Sequence, residues 1–327
     1  MFRFLALSFL TFAQPVWAAC AGNDLRALLN AEEQAALAAE LDGQPFITGN
    51  HWRATSDDSA IHLIGTMHLA DPRLEPHVQL LAPIVENADL LLLEMTDEDE
   101  KALQTRLSSD TSLLLLPDAS LPELLSEEDW NKMSDALSAR GLPPFMAARF
   151  QPWYVSILLA IPPCATAQDL SVGGMDARLE EIAMAADVPR RALEDAETIF
   201  ASFATQPQDV QVQMMLSALV DPSAGEDMFA TLLASYFDEN HAEGWAVSAL
   251  LAQRFSPIDP DQSADIMATM EQTLLVDRNR AWLPVLLDAA KEHDTVVAAF
   301  GAAHLSGETG IPALLAAEGF TLERLPF

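Results

Sequence analysis

Two histidines in this chain sit in matching settings. His68 closes the turn Gly65-Thr66-Met67-His68, and His304 closes Gly301-Ala302-Ala303-His304. Each Gly-x-x-His turn follows an apolar run, at residues 60–65 and 295–300. A histidine so placed is either a metal ligand or catalytic base facing a cleft, or a hydrogen-bonded turn residue. The leading glycines, Gly65 and Gly301, permit a tight bend and the close approach of a ligand. Glu94 follows the run Leu90-Leu91-Leu92-Leu93. A carboxylate there needs solvent, a basic partner or a metal, because burying it unpartnered is expensive. The other reading is an ordinary strand-end residue.

Arg278 is one of only 17 basic residues against 49 acidic ones. Trp282 lies one helical turn later, so the two share a face. Arg278 either orients Glu94 or Glu194 and stabilises a developing oxyanion, or makes a purely structural ion pair. Asn279 and Trp282 read as packing or polar scaffold. His62 alternates with apolar neighbours and reads as structural, while His51, His77, His241 and His293 have no such setting. Gly307 and Gly310 follow His304, but no Lys-Ser/Thr pair accompanies them and Glu308 would repel phosphate, so the signal for a phosphate loop is poor. The acidic run at residues 97–100 lacks the ligand spacing of a calcium loop and reads as a solvated helix start. No Gly-x-Ser-x-Gly elbow and no His-Glu-x-x-His helix is present.

The elements that must position these residues follow from hydrophobic pattern. Residues 51–53 and 60–65 predict a β-hairpin around the polar turn 56–59. A helix is expected from Pro76 to Asn87, and residues 89–94 read as a fully apolar strand. This strand–helix–strand unit puts His68 and Glu94 at carboxyl-terminal strand ends, where open α/β sheets bind ligands; adjacent parallel strands would bring them together. The middle is mainly helical: residues 24–41, 122–140, 175–186, 195–204, 210–220, 224–240, 244–255 and 263–293, the last with a break or bend near Asn279. Residues 145–161 are very apolar and expected to be buried, and residues 190–194 form a short strand. Near the carboxyl terminus come a strand at 295–300, a helix at 310–318 and a strand at 320–324. Both ends of the chain show strand, Gly-x-x-His, helix and strand. The expected fold is α/β: one central mixed sheet built from both ends, flanked by helices, with a helical insert at about residues 120–290 inside a single domain of residues 20–327.

Residues 1–19 read as a secretory signal peptide, with Arg3, a short apolar run and a small-residue cleavage site at Val16-Trp17-Ala18. The run is too short to span a membrane, and no later stretch is long and apolar enough. A periplasmic or secreted location follows. In that oxidising setting Cys20 and Cys164 are expected to pair, with lipid attachment at Cys20 as the competing use. The net charge of −32 argues against nucleic acid and anionic membrane as partners.

The chain resembles the TraB/GumN/Tiki family. The resemblance rests on the two Gly-x-x-His turns, Leu92-Leu93-Glu94, Gly174-Met175-Asp176, Leu193-Glu194, Arg278-Asn279 with Trp282, and Gly307 and Gly310 after His304. It covers essentially the whole mature chain. Where the family usually has an apolar strand before Leu193-Glu194, this chain has Val188-Pro189-Arg190-Arg191-Ala192. The family resembles the erythromycin-esterase and haem-binding ChaN folds, and its animal Tiki members are described as metal-dependent proteases. The resemblance implies functional roles for Asp176, which alone reads as a helix cap, and for Glu194, which alone reads as surface. The resulting expectation is a hydrolase using a divalent ion (zinc, manganese or cobalt). His68 and His304 would be ligands, Glu94 a third ligand or the base, and Glu194 or Asp176 a further carboxylate. Arg278 would orient groups or stabilise charge. Peptide hydrolysis is what the resemblance implies, and a small-molecule substrate stands beside it. Two other readings remain open: a haem-, metal- or small-ligand-binding protein that turns nothing over, and a degenerate pocket in a structural protein.

Overall fold

The computed structural model describes residues 22–56, 59–165 and 173–327. The signal peptide and Cys20 lie outside them. The Cys20–Cys164 disulfide and the alternative lipid at Cys20 both depend on that residue and so lie outside the described residues.

Six strands form one mixed sheet: β1 (His51–Thr55), β2 (Ala60–Thr66), β3 (Leu90–Leu93), β4 (Arg190–Ala192), β5 (Thr295–Gly301) and β6 (Thr321–Arg324), in the order β4-β3-β5-β2-β1-β6. β1 pairs antiparallel with β2 and β6, whereas β2, β3, β4 and β5 are mutually parallel. Both ends of the chain therefore build the sheet, as the sequence pattern predicts. The strands are apolar because both faces are covered. Leu91 and Leu93 pack on one face with α1 (Leu74–Glu86) and α2 (Met175–Ala185), while Leu90 and Leu92 pack on the other with α3 (Asp277–Glu292) and α4 (Ile311–Ala317). Successive residues alternate faces in a strand, so the run of four leucines feeds two cores at once.

β4 lies at the sheet edge, which is why it tolerates Arg190 and Arg191. Arg190 pairs with Glu180 and Arg191 with Glu292. Charged residues suit an edge strand because they discourage pairing with another chain.

Several expected helices differ in detail. Residues 122–140 form two helices, Leu121–Leu124 and Glu127–Ala139, because Ser126 starts a new one by accepting the Asp129 N–H. The long segment 263–293 breaks earlier than Asn279, at a single π-helical stretch over Gln272–Val276. Residues 145–161 are not uniformly buried: Phe145 and Met146 are 78% and 51% exposed. Among the described residues, no helix is long and apolar enough to cross a membrane.

Candidate functional site

The parallel pairing sends the carboxyl ends of β2, β3, β4 and β5 to one edge, the usual ligand edge of such a sheet. His68, Glu94, Glu194 and His304 all follow these ends. The expected route to their meeting needs correcting, however, because β2 and β3 are not neighbours. β5 runs between them. His68 and Glu94 meet because β5 ends in Gly301. A Cβ there would lie 3.4 Å from Glu94 Oε1, 3.4 Å from His68 Nε2 and 3.7 Å from the His304 ring. The missing side chain is the space the three groups share. Gly65 has a different part from the one expected. A Cβ on it would strike Leu305 and Ala302, so it admits another stretch of this chain rather than a ligand. Gly307 and Gly310 shape the return after His304, Gly307 in the left-handed region and Gly310 at the start of α4.

Arg278 organises the centre. It is 8% exposed and reaches inward from α3. Its Nε donates to Glu194 Oε1 at 2.8 Å, and its Nη2 donates to Glu94 Oε2 at 2.5 Å and also to Glu194 Oε1. The guanidinium stacks 4.6 Å from the Trp282 ring, and the His304 ring lies 4.4 Å from the same indole. One fully buried tryptophan thus supports both groups.

The His304 tautomer follows from its partners. Asn279 Nδ2 donates to the carbonyls of Thr309 and His304, so Asn279 Oδ1 faces His304 Nδ1 as an acceptor at 2.6 Å. The ring proton sits on Nδ1, and Nε2 accepts from Arg278 Nη1 at 3.4 Å. Burial, aided by the Arg278 charge and opposed by Glu94, lowers the His304 pKa to about 3 and keeps the ring neutral. His68 behaves oppositely. Its side chain is more than half open to the cavity, so the partial loss of water that pulls its pKa down is outweighed by Asp176 (Nδ1 to Oδ1, 3.2 Å) and then Glu94, which raise it to about 9. Burial pushes the Glu94 pKa up. The surrounding positive groups and the Gly301 N–H, 2.7 Å from Oε1, overcome that and hold it well below the usual carboxylate range.

Asp176 does not cap α2 as its sequence position suggests. Gly174 occupies the cap position, and Asp176 turns its carboxylate to His68 instead. The Met175 N–H donates to the Met67 carbonyl at 2.9 Å, tying the start of α2 to the end of β2. That contact demands Gly174, whose added Cβ would fall 1.8 Å from the Met67 oxygen. Gly174→Ala is therefore expected to cost about 3 kcal/mol, the upper end for overpacking, by urea unfolding, and to uncouple Asp176 from His68.

The expected metal site is not assembled. Among the described residues, no group of three or more His, Cys, Asp and Glu side chains is placed to hold a metal ion. His68 Nε2 and His304 Nε2 lie 3.8 and 3.9 Å from Glu94 Oε1, yet Arg278 already supplies a fixed cation to Glu94, Glu194 and His304 Nε2. The metal-binding cluster expected of His68, His304 and Glu94 is thus not found among the described residues. The donor set fits an arginine-centred cluster.

The groups also differ in reach. His68, Glu94 and Asp176 line a cavity of about 730 Å³. Their side chains are 59%, 17% and 31% exposed, whereas His304, Arg278 and Glu194 stand behind them at 4%, 9% and 10%.

The TraB/PrgY/gumN family model matches residues 50–324. The chain belongs to this family. It is 25% identical over 288 residues to the uncharacterized protein YbaP of Escherichia coli (strain K12) and, to the same degree, to YbaP of Shigella flexneri, covering 82% of this chain and 95% of each relative. The matched segment contains every member of the cluster, from His68 to His304.

Sequence reasoning placed Asn279 only as scaffold and did not connect it to His304. Its position directly after Arg278 was the available signal, since neighbouring helical residues at a site point to different parts of it. The cavity left no such signal, because its walls come from helices far apart in the chain.

Proposed function

We propose that this TraB/PrgY/gumN family member is a hydrolase of carboxylic acid derivatives, amides or esters, acting in the periplasm or outside the cell. The observation that carries this reading is the opposed pair at the cavity wall: Glu94, held ionised, and His68, held protonated, with 3.8 Å between Oε1 and Nε2. A carboxylate and an imidazolium facing one gap are the acid and base that hydrolysis needs. Glu94 Oε1 accepts the proton of an attacking water. The His68 imidazolium stabilises the negative charge growing on the carbonyl oxygen and donates its proton to the leaving group. Asp176 holds His68 in the charged form. Because Glu94 is a weak base, the positive charges of His68 and Arg278 must supply much of the rate by stabilising the oxyanion. Glu194 and His304 act as positioning residues. Glu194 Oε2 is buried without a hydrogen-bond partner, so the Arg278 contact through Oε1 is what holds this carboxylate in place.

The pH profile tests the acid. With a pKa near 9, His68 should be protonated across neutral pH, so kcat/KM on ester and amide substrates should stay level there and fall above about pH 9. A pKa raised from 6.5 also means that the stability His68 contributes is fully present below 6.5 and lost as pH rises through about 9. His68→Gln should lower the rate by about 10²- to 10⁴-fold and abolish the alkaline limb. An unchanged limb in this variant, or activity that depends on an added divalent ion, overturns the reading.

A further inference from the structure

The cavity extends from His68, Glu94 and Leu93 at the sheet edge into the helical section. Most of its walls come from the helices Pro152–Ala160, Thr198–Ala204, Gln208–Ser217, Pro222–Phe237, His241–Phe255 and Pro260–Glu271. Away from the cluster the lining is dominated by Phe200, Phe203, Phe229, Met214, Met228 and Met267. Phenyl and thioether groups make an adaptable apolar wall. Its volume of about 730 Å³ falls within the range of dedicated small-molecule sites, roughly 300–1,000 Å³.

Apart from the Ser263 hydroxyl, the polar groups on these walls are already engaged. Ser156, Ser217 and Ser248 donate to the carbonyls of Pro152, Met214 and Gly244 in their own helices. Arg140 donates to the carbonyls of Ile161, Ala136 and Leu159. Glu100 accepts from Gln104. Helical walls also satisfy their own main chain, so among the described residues no sheet edge is offered along the cavity. An extended peptide needs partners for its amide groups, usually from such an edge, and would leave them unmet here at a cost for each. A hydrocarbon chain needs none.

We infer that the cavity binds a long acyl chain, with its carboxyl carbon delivered between Glu94 and His68. The substrate class is then an acylated molecule, and the bond broken is the ester or amide joining the chain to its head. Water adds to the carboxyl carbon, and the bond to the leaving oxygen or nitrogen breaks. The leaving atom takes the proton from His68 and the fatty acid is released. This deepens the proposed hydrolase and rests on it, but chain binding can be measured without turnover.

The purified protein is titrated with butanoate, octanoate, dodecanoate and hexadecanoate by calorimetry. It is also assayed on 4-nitrophenyl esters of the same acids and on a dodecanoyl-peptide amide beside its unacylated form. Affinity should rise about fourfold per added methylene until the cavity is filled, the value for removing one CH₂ from water. Ester and amide turnover should follow the same order. Ala252→Trp and Ala218→Trp project into the cavity. Either variant that melts at the wild-type temperature should shift the preference to shorter chains while still cleaving the butanoyl ester. Chain-length-dependent binding without turnover of any ester or amide supports the cavity assignment and overturns the hydrolase. Turnover that ignores chain length, with no fatty acid bound, overturns the acyl chain and leaves the hydrolase standing. Unacylated peptide binding as tightly as its dodecanoyl form overturns the acyl chain as well.

Discussion

Glu94→Gln is expected to reduce kcat/KM by about 10³-fold while leaving the fold intact. Glutamine fills the same volume beside Gly301 and keeps an oxygen for its N–H, 2.7 Å away. It has no charge to hold the imidazolium of His68 and cannot take a proton from water. Arg278 keeps Glu194, to which it donates through Nε and Nη2, so the cation is not left unpaired. The measurement is steady-state hydrolysis beside thermal unfolding. A variant within tenfold of wild type would remove Glu94 from the chemistry. A variant that fails to fold would instead show that the carboxylate is structural, and Glu94→Asp, which restores charge at a shorter reach, would then recover the fold without the activity.

Arg278→Met is expected to destabilise the protein by about 3–5 kcal/mol at neutral pH, as for other buried ion pairs that lose one partner. Met preserves length and apolar contact with Trp282, so the loss is electrostatic. Two carboxylates, Glu94 and Glu194, would be left with side chains 17% and 10% exposed and no guanidinium. The pH dependence identifies the cause. In the wild type the Glu94 pKa is lowered from 4.5, so the stability it contributes is present above 4.5 and lost as pH falls through the lowered value. Without Arg278 the buried Glu94 carboxylate loses one of the charges that hold it ionised, and the variant should gain on the wild type as pH falls. Urea unfolding at pH 7 and pH 4 should therefore show a narrower gap at pH 4. An equal gap at both values would assign Arg278 to packing alone. Arg278→Lys should recover only part of the stability, because an ammonium lacks the planar fork that reaches Glu94 and Glu194 together.

Much of this arrangement is legible in the chain. The apolar runs before His68, Glu94 and His304 are long enough to be strands, and their likeness at the two ends foretells one shared sheet. The Arg278–Trp282 spacing foretells a common face, and the guanidinium does lie on the indole. Local pattern cannot order strands, however. It brings His68 and Glu94 together as neighbours, whereas they meet across the end of β5, where Gly301 leaves the gap. It also reads Asp176 as a cap, because capping is a local preference, while the contact with His68 depends on Met175 docking on Met67 from 108 residues away.

By itself the amino-acid sequence determined the acidic balance of the chain, which runs must be buried, and that strands from both ends join in an α/β fold. Those properties depend on composition and short-range periodicity. Only the tertiary structure decided that Arg278 occupies the centre assigned to a metal. Only it placed His68 within reach of a ligand with His304 behind it, and gathered an apolar cavity from helices far apart in the chain. Each outcome depends on distances between segments remote in the chain, and those distances are set by sheet order and packing.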